Sequence, residues 1–456
     1  MSAIAPGAEG ANGGLDPAHV SRLLEQEIDL YRRKHPGSER VQREATHLLG
    51  GVPFHWVNAY AVPFPLAISQ ADGAHLVDVD GNAYHDFGLS GTASMGGHHG
   101  SVLREIIASD VPGPGVVTGW TTEDAGPVGE QLAKRYGLPC WELTLSATEA
   151  NRAAIRLARA ITGRPLIVAF RGAYHGSLEE LHPNEPGSAP AAGDAVRMLR
   201  FNDPGELANA LADEQVAAVL AEPALTNGGG VALPEPEFVA ALNTLTRERG
   251  TLLIVDETQS GAAGYRGAGR EFGIEPDFLS LGKSLAAGLP IGALGMRLEL
   301  AEAAGRVLEG PTGGGWRLAG YGATVTAGPL TLRAARKYLT EVMTPDAYDR
   351  MNQLSQELSV RLAQATSRAE LPWRINSLGA ILGLSFRADP VRDGEGARAP
   401  DPVPGLRDYL FIALLNRGVL VGNLGGYIVV SPTNTERDID AVVHAFEEAV
   451  GRLRAG

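Results

Sequence analysis

The chain has 456 residues, of which 44% are hydrophobic and 20% are charged, as is ordinary for a globular enzyme. This length exceeds what one small core accommodates, so two domains, or a large domain with a smaller one, are expected. The formal net charge of -14 argues against nucleic acid or anionic membrane as a partner, because both require a basic surface. A cationic small molecule stays open as a ligand, although general solubility also explains such a charge.

The single cysteine, Cys140, cannot form an intramolecular disulfide or a thiolate metal cluster, so a reducing cytoplasm is the expected location. The first residues, MSAIAPGAEGANGG, lack the basic and apolar regions of a secretion signal and are predicted to be disordered. No run approaches the ~18 apolar residues of a membrane span. The sequence therefore predicts an intracellular protein, and no metal site is expected.

The predicted elements of the first two thirds of the chain point to a sheet covered by helices. Asp16 and Pro17 begin a helix through AHVSRLLEQEIDLYRRK. AHLVDVDGNAYHDF alternates around Asp80-Gly81, which indicates a β-hairpin. Short apolar runs then alternate with helical patterns: WELTLS, PLIVAF, VRMLRF, VAAVLAEP, TLLIVDE, PDFLSLG and IGALGM. Buried runs separated by helices are typical of a mostly parallel sheet.

From about Leu330 the pattern becomes that of a smaller α+β domain. A helical region reaches about Ala369 and is followed by INSLGAILGLSF, the helix LRDYLFIALLNRG, the strands VLVG and YIVVS, and a final helix in TERDIDAVVHAFEEAVGRL. The expected division is an N-terminal segment (1–75), a large domain (76–328) and a C-terminal small domain (329–456).

Two charged residues stand at the ends of neighbouring apolar runs. Asp256 ends the strand in TLLIVDETQSG, where ligands of open α/β sheets bind, and Lys283 follows the next run 27 residues later. A crossover helix fits between them. The chain has only four lysines, at positions 34, 134, 283 and 337, among 39 basic residues. Desolvation lowers the pKa of a lysine and frees a nucleophilic amine, whereas arginine stays protonated. A buried structural ion pair is the alternative interpretation.

Two further segments carry groups that suit a phosphorylated, planar cofactor. Ser146 and the glutamate three residues later have capping-box spacing after WELTL. The amides of Ala147 and Thr148 would then hold a phosphate, although an ordinary helix start has the same pattern. FRGAYHGS places Tyr174 and His175 on a loop, where an aromatic ring stacks on a cofactor or packs on the core. Lysine amines form Schiff bases with pyridoxal 5'-phosphate (PLP), and an acid partners its pyridinium nitrogen.

The motifs SATEANRAAIRLARAITGR, AYHG, LAEP, IVDETQSG and LGKSLAAGLPIGALG together resemble the class III aminotransferases. These are fold-type I PLP enzymes, and glutamate-1-semialdehyde aminomutase belongs to the same group. The similarity covers nearly the whole chain. It is strongest to the branch with β-amino-acid aminotransferases, aminomutases and the aminotransferases and epimerases of aminoglycoside antibiotic biosynthesis. It implies an α/β large domain with a mostly parallel seven-stranded sheet, a smaller α+β C-terminal domain, and a homodimer with shared active sites.

The resemblance also assigns roles to single residues. It makes Lys283 the lysine that carries PLP as a Schiff base and Asp256 the group that keeps the pyridine nitrogen protonated. The other residues of the implied cofactor site are Ser146, Ala147 and Thr148 at the phosphate, Tyr174 on the ring with His175 beside it, Thr258 on the opposite face, Gln259 at the phenolic oxygen, Glu222 near the site, and Thr324 at the phosphate of a neighbouring subunit. Ala147, Thr258 and Gly328 replace residues that are glycine, valine and asparagine elsewhere in the family.

The substrate is expected to lack a carboxylate. β-Amino-acid aminotransferases clamp that group with arginines in two segments, and the corresponding GGVPFHWVNAY and VGNLGGYIVV contain none. An aminosugar or aminoglycoside intermediate would fit. The aromatic residues expected to border the site, and otherwise to pack in the core or an interface, are Trp56, Tyr60, Trp120, Trp316 and Tyr321. The alternatives are an epimerase or aminomutase on the same substrates, a β-amino-acid aminotransferase, and a non-catalytic PLP-binding protein.

Overall fold

The computed structural model describes residues 13–98, 119–181, 195–228, 230–309, 322–422 and 427–455, together with positions 103, 105, 106 and 108. Residues 1–12, which belong to the segment predicted to be disordered, and the aromatic residues Trp316 and Tyr321 lie outside the described residues. Three β-sheets organise the part of the chain that is described.

The N-terminal region consists of helices followed by a small antiparallel sheet. Its elements are α1 (Pro17–Lys34), α2 (Pro36–Glu44), the 3₁₀ turns Leu49–Gly51 and His55–Ala59, β1 (Ile68–Asp72), β2 (His75–Asp78) and β3 (Ala83–Asp86). Asp16 caps α1, since its carboxylate accepts hydrogen bonds from the amides of Ala18 (3.0 Å) and His19 (3.2 Å). β2 and β3 pair as an antiparallel hairpin, which confirms the turn predicted at Asp80-Gly81.

The central region alternates strands and helices. Its strands are β4 (Cys140–Thr144), β5 (Leu166–Phe170), β6 (Val196–Leu199), β7 (Val216–Ala221), β8 (Leu252–Asp256), β9 (Phe278–Leu281) and β10 (Gly292–Met296). Its helices are α3 (Ala125–Tyr136), α4 (Ala147–Thr162), α5 (Pro204–Leu211), α6 (Pro236–Glu248), α7 (Ala268–Glu271) and α8 (Leu298–Glu309), with 3₁₀ turns at Glu179–Leu181 and Ser260–Ala262.

These seven strands form one sheet in the order β4-β10-β9-β8-β7-β5-β6. β10 runs antiparallel to β4 and β9, and the remaining pairs are parallel. Every residue of β7, β9 and β10 is buried, because helices cover both faces. The predicted mostly parallel seven-stranded sheet is therefore confirmed. The carboxyl ends of β5, β7, β8 and β9 meet at one edge.

The C-terminal region is α+β, as predicted. Its elements are α9 (Pro329–Lys337), the π-helical turn Tyr338–Val342, α10 (Pro345–Arg368), β11 (Arg374–Leu378), β12 (Ile381–Ser385), α11 (Gly394–Arg398), α12 (Leu406–Asn416), β13 (Val419–Leu420), β14 (Tyr427–Val429) and α13 (Glu436–Arg454). β11, β12 and β14 form an antiparallel sheet, whereas β13 pairs in parallel with β3 of the N-terminal sheet. Among the described residues, no helix combines the length and hydropathy that crossing a bilayer requires.

Candidate active site

Asp256 and Lys283 lie at the carboxyl ends of adjacent parallel strands. Asp256 is the last residue of β8 and pairs with Ser280 of β9, and Lys283 follows two residues after β9 ends. The backbone of Lys283 adopts a left-handed conformation (φ 51°), which is unusual for a residue with a side chain. In place of the expected crossover helix, the connection contains the 3₁₀ turn Ser260–Ala262 and the four-residue α7, because its many glycines disfavour a longer helix.

The carboxylate of Asp256 is buried and accepts four hydrogen bonds. Oδ2 accepts from Asn151 Nδ2 (2.8 Å) and lies 2.9 Å from His175 Nδ1. Oδ1 accepts from the amide (3.0 Å) and hydroxyl (2.5 Å) of Thr258. Burial alone would raise the pKa of Asp256, but the hydrogen bonds from His175, Thr258 and Asn151 outweigh it and hold that pKa below its ordinary value. Among the described residues, no carboxylate lies within ion-pair distance of Lys283, although the charges of Asp256 and Glu222 both act on its amine.

The amine of Lys283 has a lowered pKa, because desolvation disfavours its charged form more than the carboxylates of Asp256 and Glu222 stabilise it. Glu222 directly follows β7 and is buried, which raises the pKa of its carboxyl group. Its Oε1 accepts a hydrogen bond from the amide of Tyr174 (2.8 Å). Three successive strands, β7, β8 and β9, thus deliver Glu222, Asp256 and Lys283 to the same edge of the sheet.

His175 connects the loop after β5 to this group. Its Nδ1 faces Asp256, and its carbonyl oxygen accepts a hydrogen bond from Asn151 Nδ2 (3.1 Å). The ring is buried, and its Nε2 has no hydrogen-bond partner among the described residues. A buried polar atom without a partner is costly in a folded protein. This atom therefore indicates that a further group belongs in the site.

A hydrogen-bonded chain joins β14 of the C-terminal region to Glu222. The Tyr427 hydroxyl donates to Gln259 Oε1 (2.5 Å), and Gln259 Nε2 donates to Asn227 Oδ1 (3.0 Å). Asn227 Nδ2 donates in turn to Glu222 Oε1 (3.2 Å). Because Glu222 accepts from Asn227 Nδ2, Asn227 presents its Oδ1 to Gln259, and this sets the orientation of the Gln259 amide. Gln259 is thus linked to Glu222 through Asn227, and its expected contact with the phenolic oxygen of PLP stays a prediction.

The predicted phosphate cradle lies at the start of α4. Ser146 is its N-cap, and its hydroxyl accepts from the amide of Glu149 (3.4 Å). The carboxylate of Glu149 accepts from the amide of Leu145 (2.9 Å), one residue before the position that a capping box requires. A Cβ at Gly282 would lie 3.0 Å from the amide nitrogen of Ala147. Glycine at position 282 therefore leaves space around that amide.

The loop after β5 closes over the same helix start. Gly176 has φ +92°, and a Cβ there would lie 2.0 Å from Thr148 Oγ1, so only glycine permits this approach. Tyr174 is half-buried, and its ring meets Trp56 edge-on at 5.8 Å between centroids. Thr148 thus lies against the loop that carries Tyr174 and His175, and Tyr174 contacts Trp56.

Three sequence-predicted residues lie elsewhere or without a described contact to the group. Tyr60 packs against Phe411 (5.6 Å between ring centroids), which is core packing. Trp120 is 80% exposed. Thr324 is exposed in a turn in which the amide of Thr326 donates to the carbonyl of Ala323.

Three residues of the site, Asn151, Asn227 and Tyr427, are absent from the set predicted from the sequence. Asn151 is a fully buried polar residue within the apolar face of α4, and a polar residue at such a position could have been read from the helical periodicity. Asn227 and Tyr427 carry no comparable signal, because their partners lie in other elements.

Comparison with known proteins agrees with this arrangement. The family model "Aminotransferase class-III" matches residues 57–181 and 195–450. The chain belongs to the class III aminotransferase family. It is 34% identical over 349 residues to a glutamate-1-semialdehyde 2,1-aminomutase of Rhodopirellula baltica, covering 72% of this chain and 76% of that protein.

Two solved structures show the same relationship. The glutamate-1-semialdehyde-aminomutase of Pseudomonas aeruginosa superposes with a TM-score of 0.91 at 35% identity, covering 96% of this chain and 100% of that one. A variant described under the same name holds PMP. The β-phenylalanine aminotransferase of Variovorax paradoxus gives a TM-score of 0.84 at 27% identity, with 95% and 97% covered. As a class III aminotransferase, this chain is a PLP-dependent enzyme, and the residues at the edge of its central sheet fit that cofactor.

The fit rests on the chemistry of the residues present. The amide of Ala147, at a helix start kept open by Gly282, suits a phosphate. The ionised Asp256 suits a protonated ring nitrogen, and the amine of Lys283 suits an aldehyde. The buried Nε2 of His175 without a partner is consistent with a ligand at this edge.

Enlarging Gly282 is expected to weaken PLP binding. In Gly282→Ala the added Cβ would lie 2.8 Å from Ala147 Cβ and 3.0 Å from its amide nitrogen. Overpacking of this kind costs about 1–3 kcal/mol, which corresponds to a roughly ten- to hundredfold higher Kd. The measurement is titration of the apoenzyme with PLP, followed by protein fluorescence.

Gly305→Ala is the matched control for Gly282→Ala. A Cβ at Gly305, within α8, meets no atom within 4 Å, so its Kd for PLP should equal that of the wild type. Equal PLP affinities for Gly282→Ala and the wild type would contradict a role for Gly282 in the phosphate-binding site.

Proposed function

We propose that this enzyme transfers an amino group to or from an amine-rich substrate without a carboxylate, such as an aminosugar or an aminoglycoside intermediate. The observation that carries the proposal is the lack of arginine and lysine in residues 50–60 and 419–430. The first segment contributes Trp56, which contacts Tyr174, and the second contributes Tyr427, which holds Gln259. Both segments thus reach the site, yet neither offers the bidentate partner that a carboxylate requires.

The charge of the protein supports the same substrate class. The net charge of -14 favours the approach of a cationic molecule and disfavours an anionic one. Trp56 beside Tyr174 provides an aromatic surface that suits the apolar face of a sugar ring. A substrate with several ammonium groups uses both features.

The proposed chemistry requires two functions of the chain's residues: one keeps the ring nitrogen of PLP protonated, and the other transfers the proton of the reacting carbon. When bound, PLP supplies an aldehyde for the substrate amine and an electron sink for the carbanion formed at the reacting carbon. Asp256, ionised and buried, would hold a proton on the ring nitrogen through its charge. Lys283 Nζ, whose pKa is lowered, would accept the proton from the reacting carbon and deliver it to the former aldehyde carbon of the cofactor. Ala147 and Thr148 would hold the phosphate, and Tyr174 would orient the ring.

An aminomutase is the second candidate, and relatives favour it. Several proteins 31–34% identical to this chain are named glutamate-1-semialdehyde 2,1-aminomutase. The substrate in that name carries a carboxylate, for which the two segments above offer no arginine. The mutase alternative is therefore a shift of an amino group within an amine-rich substrate. An epimerase would use the same two functions, and a β-amino-acid aminotransferase would need a carboxylate partner from elsewhere.

Amine-rich sugars are expected to be better substrates than amino acids. With a panel of aminoglycosides, aminosugars, β-phenylalanine and glutamate-1-semialdehyde, we expect kcat/KM for the best aminosugar to exceed that for either carboxylate substrate by at least about tenfold. The measurement is amino exchange with a keto-acid acceptor, followed by mass spectrometry. Turnover of β-phenylalanine at an equal or higher kcat/KM would contradict the proposal.

The same panel separates transfer from rearrangement. A transaminase exchanges its amino group with an added donor, so a ¹⁵N-labelled donor passes its label to the product. An epimerase exchanges the proton at the reacting carbon with D₂O without any donor, and an aminomutase forms a positional isomer that retains its own nitrogen. Donor label in the product supports amino transfer, whereas unlabelled isomer supports the second candidate.

Assembly and location extend the proposal. We propose a homodimer in which Thr324 reaches the PLP phosphate of the neighbouring subunit. The exposure of Thr324 and of the neighbouring Val325, which is 59% exposed, is consistent with a surface that a second subunit covers. The single cysteine supports a cytoplasmic location. The division into segments 1–75, 76–328 and 329–456 stays a prediction.

A further inference from the structure

Two histidines and an aspartate converge on the N-terminal sheet, outside the residues of the PLP site. His75 begins β2 and lies directly opposite His85 of β3 in the antiparallel pair. Asp438 lies in the first turn of α13. Its Oδ1 is 2.8 Å from His75 Nε2 and 2.6 Å from His85 Nδ1, and these three atoms all lie within 4.8 Å of one another.

The two histidines are held side by side by the sheet. Residues directly opposite in an antiparallel pair have Cβ atoms about 4.5–5.5 Å apart, and the ring centroids of His75 and His85 are 5.3 Å apart at an interplanar angle of 66°. Both rings direct a nitrogen toward the same carboxylate oxygen. Their arrangement therefore follows from strand register, and it does not depend on a flexible loop.

Asp438 is fixed by a separate set of contacts. It is 1% exposed, and its Oδ2 accepts hydrogen bonds from the amide (2.6 Å) and hydroxyl (2.9 Å) of Thr435. This capping box leaves Oδ1 facing the two histidines. Outer contacts that orient a carboxylate ligand are characteristic of metal sites.

The cluster is accessible to ions from solvent. The side chain of His75 is 53% exposed and that of His85 is 34% exposed. Without a metal, each ring can donate an N–H to Asp438. With the ring protons on the opposite nitrogens, the same three atoms present two imidazole lone pairs and a carboxylate oxygen, which are donors that Zn²⁺ binds at about 2.0–2.2 Å.

We propose that His75, His85 and Asp438 form a binding site for Zn²⁺ or a similar divalent transition metal, with water completing the coordination. The set of two imidazoles and one carboxylate excludes a preference for Ca²⁺ or Mg²⁺, which take oxygen ligands. A bound ion connects the β2–β3 hairpin to α13. It therefore stabilises the folded chain, because the unfolded chain does not hold these groups together.

The test is calorimetric titration of the tag-free holoenzyme with ZnCl₂. We expect saturable binding of a single ion per chain. His75→Gln and His85→Gln should each raise the Kd at least roughly tenfold, since even loss of an outer contact to a ligand weakens metal sites by about 10–100-fold. Glutamine keeps a hydrogen-bond donor for Asp438, so the fold should persist. Its persistence is checked by the melting temperature in the presence of a chelator.

Two controls make the result specific. His444→Gln changes an exposed histidine on the same helix and should bind zinc as the wild type does. Cys140→Ser removes the single thiol and should also leave the Kd unchanged. Zinc should raise the melting temperature of the wild type and of both controls, but not that of the His75→Gln/His85→Gln double variant.

Three outcomes would overturn the site. These are no saturable binding by the wild type, equal affinity in the double variant and the wild type, and loss of binding in Cys140→Ser alone, which would place the ion at the thiol. None of these readouts depends on amino transfer, so they are independent of the proposed function.

Discussion

Lys283→Ala is expected to lower amino transfer by at least about 10³-fold while leaving the fold intact. General acid–base transfer alone contributes roughly 10²–10⁴-fold, and this variant also loses the amine that is proposed to bind the PLP aldehyde. The loss should appear in the rate constant of the first half-reaction, because the segments around Trp56 and Tyr427, which are proposed to contact the substrate, are unchanged. The measurement is single-turnover kinetics of the variant reconstituted with PLP.

The position of the covalent link is tested by borohydride reduction of the wild type followed by peptide mapping. The chain has only four lysines, at positions 34, 134, 283 and 337, so the map has four possible labelled sites. We expect the label on Lys283. Label on another lysine, or on none, would contradict the assignment and with it the proposed function.

The control for Lys283→Ala is Lys134→Ala. Lys134 is exposed on α3, and its removal should change neither activity nor labelling. Added small primary amines should restore part of the activity of Lys283→Ala, because they supply the missing base in the space that alanine leaves. A purely structural lysine would show no such recovery.

The strand ends of the site could be predicted because local sequence determines them. Apolar runs such as TLLIVDE define both a buried strand and the residue at its carboxyl end, so Asp256 and Lys283 follow from pattern alone. The cap at Ser146 follows equally from spacing, although the carboxylate of Glu149 binds the amide of Leu145 and not that of Ser146. That one-residue difference depends on backbone geometry, which spacing does not determine.

The rest of the site depends on contacts between distant elements. Tyr427 binds Gln259 across 168 positions of the chain, and β13, although it belongs to the C-terminal region, pairs with β3 of the N-terminal sheet. No local periodicity predicts either contact. The proposed zinc site has the same origin, since Asp438 lies 363 positions from His75 and the three residues form no metal-binding motif in the sequence. Asn151 is intermediate, because its helix was predicted but its contact with Asp256 required the fold.

Asp256→Asn is expected to lower kcat by roughly 10²–10³-fold, and the reason is the charge of the carboxylate. Hydrogen bonds from His175, Thr258 and Asn151 hold its pKa below the ordinary value of 3.8, so the group is ionised wherever the enzyme works. An amide cannot keep a proton on the PLP ring nitrogen by charge, and an electron sink without that proton is weaker. The measurement is kcat, with the absorbance of bound PLP as a check on occupancy.

The sign of the pH dependence follows from the lowered pKa of Asp256. The contribution of its partners to folding stability is present above the ordinary pKa of 3.8 and is lost as pH falls below it toward the folded-state value. In a plot of wild-type activity against pH, titration of Asp256 should therefore cause no change in activity above about pH 5. A change in activity near neutral pH that disappears in Asp256→Asn would mean that the carboxyl group titrates there.

Thr258→Val separates the charge of Asp256 from its orientation. Valine removes the hydroxyl that donates to Oδ1 but leaves the carboxylate and the backbone amide of residue 258 in place. A neutral hydrogen bond contributes about 0.5–1.5 kcal/mol, and one to a charged group about 1.5–3 kcal/mol, so kcat should fall much less than in Asp256→Asn. Equal losses in the two variants would show that Oδ1 must be positioned by Thr258, and that charge alone does not account for the role of Asp256. A small loss in Thr258→Val beside a large one in Asp256→Asn assigns the effect to the charge, because His175 and Asn151 still hold Oδ2.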